Sequence, residues 1–165
     1  MRMDIVATRE GQPAILVDYM ETLELIERLH RLLLDVIKDE FERLGILQIN
    51  AVQGLLLFNI GGNEVTAGEL RSRGYYQGSN VSYNLKKLVE LGYMHHERCR
   101  ADRRAVRVRL TESGMAIRGV VADLMQRHAE RLTSGALDAD DGLTGTNRSL
   151  RRLERFWTEQ IRYIY

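Results

Sequence analysis

The sequence predicts a mainly α-helical fold with one small β wing, and three observations predict it. Apolar residues recur at helical spacing over most of the 165 positions. One stretch changes to period two: Val106, Val108 and Leu110 alternate with Arg107 and Arg109, as a strand with one buried face requires. Directly before it runs a helical pattern whose outward face carries amides, hydroxyls and lysines, with no acid before Glu90.

Taken in order, residues 1–14 carry no periodic pattern and include Pro13, the only proline, so they predict an arm that orders against a partner or not at all. Residues 15–44 predict a long helix. Leu25, Leu29, Leu32 and Val36 form one stripe, and Ile26, Leu33, Ile37, Phe41 and Leu44 a neighbouring one. Such an arc is too wide for a helix with a single buried face, so the helix is expected to touch both its own domain and a second subunit.

Asn50 can cap a helix over 51–60 that turns Val52, Leu55, Leu56 and Phe58 inward and stops at Gly61-Gly62-Asn63. Thr66 can cap a short helix, and a second follows Gly78. In the second, Val81, Leu85, Leu88 and Val89 face a core, while Ser79, Asn80, Ser82, Tyr83, Asn84, Lys86 and Lys87 face out until Gly92 ends it. Residues 93–99 are the natural partner strand for 106–110, with the hairpin tip between them.

A further long helix is expected from Thr111 to about Ser134, with Gly114 and Gly119 implying close approach of another backbone. Residues 138–147 read as a loop. The last helix, 149–165, places Leu150, Leu153, Trp157, Ile161 and Ile164 in a coiled-coil-like seam. This seam is expected to pair with the first helix and with both copies in a second subunit.

Helix, turn, polar-basic helix and arginine-rich hairpin is the order of a winged helix-turn-helix. Between His95 and Arg109 there are six arginines and two acids, a crowding that a polyanion relieves. A single helix fits the major groove of B-DNA and offers amides and hydroxyls to base edges, while cations meet phosphates. Ser79, Asn80, Ser82, Tyr83, Asn84, Lys86 and Lys87 are therefore expected at the major groove or its phosphates, with Arg98 and Arg100 near the backbone. Arg103 and Arg104 are expected in the minor groove, and Asp102 is expected to hold a wing arginine. A homodimer would match a pseudo-palindromic double-stranded DNA site with half-sites about one helical turn apart.

Asp102-Arg103-Arg104 followed by Val106-Arg-Val-Arg-Leu110-Thr111-Glu-Ser-Gly114 resembles the wing signature of the MarR family of bacterial transcriptional regulators. Residues 67–93 resemble most closely its LdtR-type branch. The resemblance implies one MarR-like domain over 1–165, with 15–47 and 112–165 as dimerisation helices and 48–111 as the winged helix. It also implies a small aromatic effector in the crevice between the first helix, the second helix and the helix after the wing. Phe41, Leu55 and Phe58 are the expected lining. The LdtR-type branch implies control of an L,D-transpeptidase gene and of stress genes.

Composition sets the remaining expectations. A single cysteine, Cys99, cannot bridge internally, which suits a reducing, cytoplasmic compartment. Cations near Cys99 favour a thiolate, yet no resolving cysteine is present. No apolar run approaches the roughly 20 residues of a membrane-spanning helix. The net charge of +1 argues against a general polyanion binder and for one basic surface.

No cofactor or metal is expected, because His95 and His96 are adjacent on a strand and point to opposite faces. The Asp138-Ala-Asp-Asp-Gly stretch lacks a closing glutamate for calcium. No nucleophile, base and orienting acid stand in recognisable spacing, so an enzyme is not expected. The alternative class is a winged-helix protein-interaction module that does not read DNA.

Overall fold

The computed structural model describes residues 13–72, 78–98, 100, 106–132 and 142–162. Its elements run α1 (Ala14–Arg43), α2 (Ala51–Ile60), β1 (Val65–Thr66), α3 (Ala67–Ser72), α4 (Gly78–Glu90), β2 (Met94–Arg98), β3 (Val106–Leu110), α5 (Glu112–Arg131) and α6 (Gly142–Arg162). Two compact units divide the chain at Val121/Ala122.

In the first unit, α1 begins beside Pro13, whose carbonyl accepts the Leu16 amide at 2.9 Å. It ends where Gly45 takes φ +70°. The Ile46 amide returns to the Phe41 carbonyl and the Gly45 amide to that of Glu42, which satisfies carbonyls that the helix end would otherwise leave bare. Near that end Arg43 grips both oxygens of the buried Glu40 carboxylate at 2.9 and 2.8 Å. That hydrogen bonding, followed by the charge itself, raises the guanidinium further above its ordinary pKa.

α2 is fixed by a reciprocal cap. The Gln53 amide donates to Asn50 Oδ1 at 2.9 Å, and the Asn50 amide donates to Gln53 Oε1 at 3.1 Å. Leu55, Leu56, Leu57 and Ile60 are buried, so the helix is enclosed on most of its circumference. Gly54 makes room for the Phe41 ring, which a Cβ there would strike.

The sheet has strand order β1-β3-β2, all antiparallel, with Val65 opposite Val108 and His96 opposite Val108 on the other side. Strand β1 is a finding beyond the expected hairpin. Ile37, Leu56, Leu57, Leu70, Val81, Leu88 and Val108 are almost fully buried. Each contributes about 1.5–3 kcal/mol through removal of its apolar surface from water.

Leu25, Leu29 and Leu32 of α1 remain exposed. Of the two glycines in α5, Gly114 has the expected close neighbour, since a Cβ would strike the Tyr93 carbonyl oxygen. Gly119 faces open space within the chain, which corrects the expectation for that residue.

The second unit holds the rest of α5 and α6. Helix α6 begins at Gly142, so residues 142–147 are helical and not the loop expected from their Gly, Thr and Asn content. The Thr146 hydroxyl turns back onto the Gly142 carbonyl at 3.3 Å, a local bond compatible with helix. Leu150 and Ile161 of the expected seam are exposed, and Leu153 and Trp157 are half-buried. Ile164 lies outside the described residues, as do the N-terminal arm up to residue 12 and Asp138 to Asp141. Among the described residues, no helix is long and apolar enough to cross a membrane.

Candidate nucleic-acid interface

Helix α3 starts with a second reciprocal cap. The Glu69 amide donates to Thr66 Oγ1 at 3.0 Å, and the Thr66 amide donates to Glu69 Oε2 at 2.7 Å. Thr66 also belongs to β1, opposite Arg107 of β3. The start of α3 is thereby locked to the base of the wing. Arg107 is held from the other side by Glu64 at 3.7 Å.

Helix α4 presents the polar face. Val81, Leu85 and Leu88 are buried as expected, and Asn80, Ser82, Tyr83, Lys86 and Lys87 are exposed. Tyr83, 62% exposed, stands out as a large aromatic on the surface. Lys86 and Lys87 converge on one carboxylate, Glu90, at 3.9 and 3.6 Å. The sequence reading did not anticipate that sharing, although the i+4 and i+3 spacings permit it.

Asn84 corrects the expected outward face. It is only 8% exposed, and its Nδ2 donates to the Asn80 carbonyl at 2.9 Å. The physical reason is angular: Asn84 lies three residues after Val81 and four before Leu88, on the buried stripe.

The far end of α4 is anchored as firmly as its core. Gly92 takes φ +81°, the Tyr93 amide returns to the Leu88 carbonyl and the Gly92 amide to that of Val89. β2 leaves this turn with Met94 buried and Arg98 exposed; Arg100 is exposed as well. Asp102, Arg103, Arg104 and Cys99 lie outside the described residues, and so does the side chain of Ser79.

Among the described residues, cavities flank these elements. One of about 440 Å³ is lined by Ala67, Ser82, Leu85, Lys86, Val89, Glu90, His96, Val106 and Val108, between α4 and the sheet. A second, about 410 Å³, is lined by His30 and Leu34 of α1, Asn50 and Val52 at the start of α2, and Asn80, Tyr83 and Asn84 of α4. The third, about 460 Å³, lies between α1 and α2 and includes Phe41 in its lining.

Of the residues expected around an effector, Phe41 borders a cavity. Phe41 and Leu55 are core residues, 2% and 8% exposed, and neither Leu55 nor Phe58 lines the cavity that Phe41 borders. The Phe41 ring lies against Gly54.

Residues 49–114 match the winged helix DNA-binding domain family model. The chain is 33% identical over 158 residues to the exopolysaccharide II synthesis transcriptional activator ExpG of Rhizobium meliloti (strain 1021), covering 96% of this chain and 80% of that protein. The chain belongs to the family of winged-helix transcriptional regulators that includes ExpG.

Solved structures carry the same fold. FabT of Streptococcus pneumoniae, solved in complex with DNA, superposes with a TM-score of 0.68 at 19% identity, over 86% of this chain and 99% of that one. A MarR protein of Peptoclostridium difficile superposes with a TM-score of 0.72 at 14% identity, over 99% and 100%. The relative ExpG is a regulator of transcription, and this chain is a winged-helix DNA-binding regulator of that kind. The LdtR-type branch gains no support beyond the resemblance of residues 67–93.

Proposed function

We propose that this regulator acts as a homodimer on a pseudo-palindromic operator, reading the major groove with α4 and the flanking minor groove with its wing. The observation that carries this reading is the exposed Asn80, Ser82, Tyr83, Lys86 and Lys87 face, set on a helix whose far end is closed by the Gly92 turn. Ser79, Arg98 and Arg100 extend that surface, and Arg103 and Arg104, steadied by Asp102, supply the minor-groove cations.

Exposed Leu25, Leu29 and Leu32 on α1 and the sequence seam of Leu150, Leu153, Trp157, Ile161 and Ile164 become subunit contacts, which leaves residues 48–111 to the duplex. A small apolar or aromatic effector shifts the balance between free and bound forms, and of the three side chains expected around it Phe41 borders a cavity.

The relative ExpG is an activator of exopolysaccharide synthesis, and the LdtR-type resemblance points to an L,D-transpeptidase gene. Both concern the cell envelope, so envelope and stress genes under positive control are the proposed targets.

Sedimentation of the purified chain, followed by a genome-wide footprint and gel shifts at several salt concentrations, tests the reading. The expected result is a dimer that protects a small set of envelope promoters. A monomer, or a protein indifferent to duplex sequence, overturns it and favours the interaction-module reading.

A further inference from the structure

Two adjacent histidines, His95 and His96, stand on β2, which packs against α4. The strand register separates their roles. His95 lies opposite Arg109 and His96 opposite Val108, so the two side chains leave the sheet on opposite faces. His96 lines the cleft of about 440 Å³ between α4 and the sheet, together with Lys86, Val89 and Glu90 of α4 and Val106 of β3.

That cleft has a donor rim and an apolar wall. His96 and Lys86 are exposed, and both donate: the ammonium carries its charge, and an imidazole keeps at least one N–H in either of its forms. Val89 and Val106, half-buried, supply apolar surface beside them. Among the described residues Glu90 is the only acid of the lining, and it is drawn to Lys86 and Lys87 at 3.9 and 3.6 Å, so cations outnumber it. Val106 and Val108 of β3 and Ala67 of α3 bring no charge to the cleft. Donors set against an apolar wall match a deoxyribose-phosphate, whose oxygens take the donors and whose sugar covers the valines. A free inorganic anion would use the donors and leave the valines wet.

Topology points to the same occupant. In the proposed complex α4 enters the major groove and the wing the adjoining minor groove, and one sugar-phosphate strand separates two adjoining grooves of a duplex. The cleft has α4 as one wall and the wing strands as the other, so that strand is what it must span. We infer that the cleft between α4 and the wing seats one deoxyribose-phosphate of this strand, with His96 and Lys86 on the phosphate and Val89 and Val106 against the sugar. The inference rests on the proposed groove assignment and deepens it. His96 becomes a backbone contact that fixes the register of α4 on the duplex and reads no base.

The test uses the full-length protein, with fluorescence anisotropy on a footprinted operator fragment and on a random duplex of the same length. His96→Ala, at an exposed position, should keep its helical content and weaken binding by about tenfold on both duplexes, because a hydrogen bond to a charged phosphate is lost. His96→Gln, which keeps an N–H donor, should recover affinity to within about threefold of the wild type. Operator fragments carrying one neutral methylphosphonate at each position in turn then locate the contact. One position per half-site, between the base pairs covered by α4 and those covered by the wing, should cost the wild type about tenfold and His96→Ala threefold or less.

Unchanged affinity in His96→Ala, a loss on the operator alone, or methylphosphonate penalties that stay the same in the variant at every position each overturn the inference. Inorganic phosphate at matched ionic strength should displace the duplex no better than chloride. Better displacement that His96→Ala abolishes would make the cleft a site for small anions and overturn the backbone seat. A wild-type protein that binds no duplex overturns the proposed function and this inference with it, whereas a wild type that binds while the methylphosphonate cycle is additive overturns the seat alone.

Discussion

The Thr111 hydroxyl donates to the Gly92 carbonyl at 2.7 Å, across 19 residues, while its oxygen accepts the Gly114 amide at 3.1 Å. The Thr111 amide reaches the Tyr93 carbonyl at 3.1 Å. One side chain thus caps α5 and holds it to the turn that ends the reading helix. Thr111→Val, which keeps the shape and loses the hydroxyl, should cost about 1 kcal/mol of stability in chemical denaturation. Thr111→Ser should restore it. Equal loss in both variants would show that the methyl group, and not the hydroxyl, matters at this position.

The same junction explains Gly114 and sets it apart from Gly119. A Cβ at Gly114 would strike the Tyr93 carbonyl oxygen, so Gly114→Ala should destabilise by about 1–3 kcal/mol despite its better helix propensity. At Gly119 a Cβ meets nothing within 4 Å. Gly119→Ala should therefore stabilise, by up to about 1 kcal/mol. Thermal denaturation of both variants checks the contrast. A loss at Gly119 would place the backbone of a second chain against it.

Which features the sequence made legible follows from how local their causes are. The Asn50 cap, the Gly61 and Gly92 stops and the alternation in β3 depend on neighbours within a few residues, and each lies where spacing alone put it. Asn84 was misread because its polar identity outweighed its position on the Val81–Leu88 stripe, although the spacing already carried the answer. The start of α6 was missed because Gly, Thr and Asn disfavour helix interiors, while the seven-residue repeat Leu143, Leu150, Trp157 was available to extend it upstream.

Strand β1 spans two residues, too short for any period, and exists because Val65 pairs with Val108 far along the chain. The cleft at Asn84 draws on three helices, and no one-dimensional pattern brings His30, Asn50 and Tyr83 together.

Subunit association can be tested on α1 alone. Leu29 is 62% exposed on a stripe with Leu25 and Leu32, a surface whose apolar area is unfavourable in water unless a second chain covers it. Leu29→Glu should leave helical content intact by circular dichroism and convert a dimer to a monomer in sedimentation. Operator affinity should fall with it, since two half-sites would no longer be bound by one particle. A variant that stays dimeric would remove α1 from the subunit contact.

The shared carboxylate of Glu90 separates the charge contribution of α4 from its base reading. In the proposed complex each lysine exchanges Glu90 for a phosphate, and the acid itself repels the backbone. Lys87→Ala should lower the slope of log affinity against log salt by about 0.9 per subunit, equally on operator and random duplex. Glu90→Gln should act in the opposite sense at low salt, tightening both by up to about 1 kcal/mol, because exposed ion pairs of this kind are individually weak. The gain should fade as salt rises, since it is a screened interaction between charges at the surface. If Lys87→Ala left the slope unchanged while lowering operator affinity alone, the lysine would be reading a base, and α4 would sit deeper in the groove than a phosphate contact at its last turn allows.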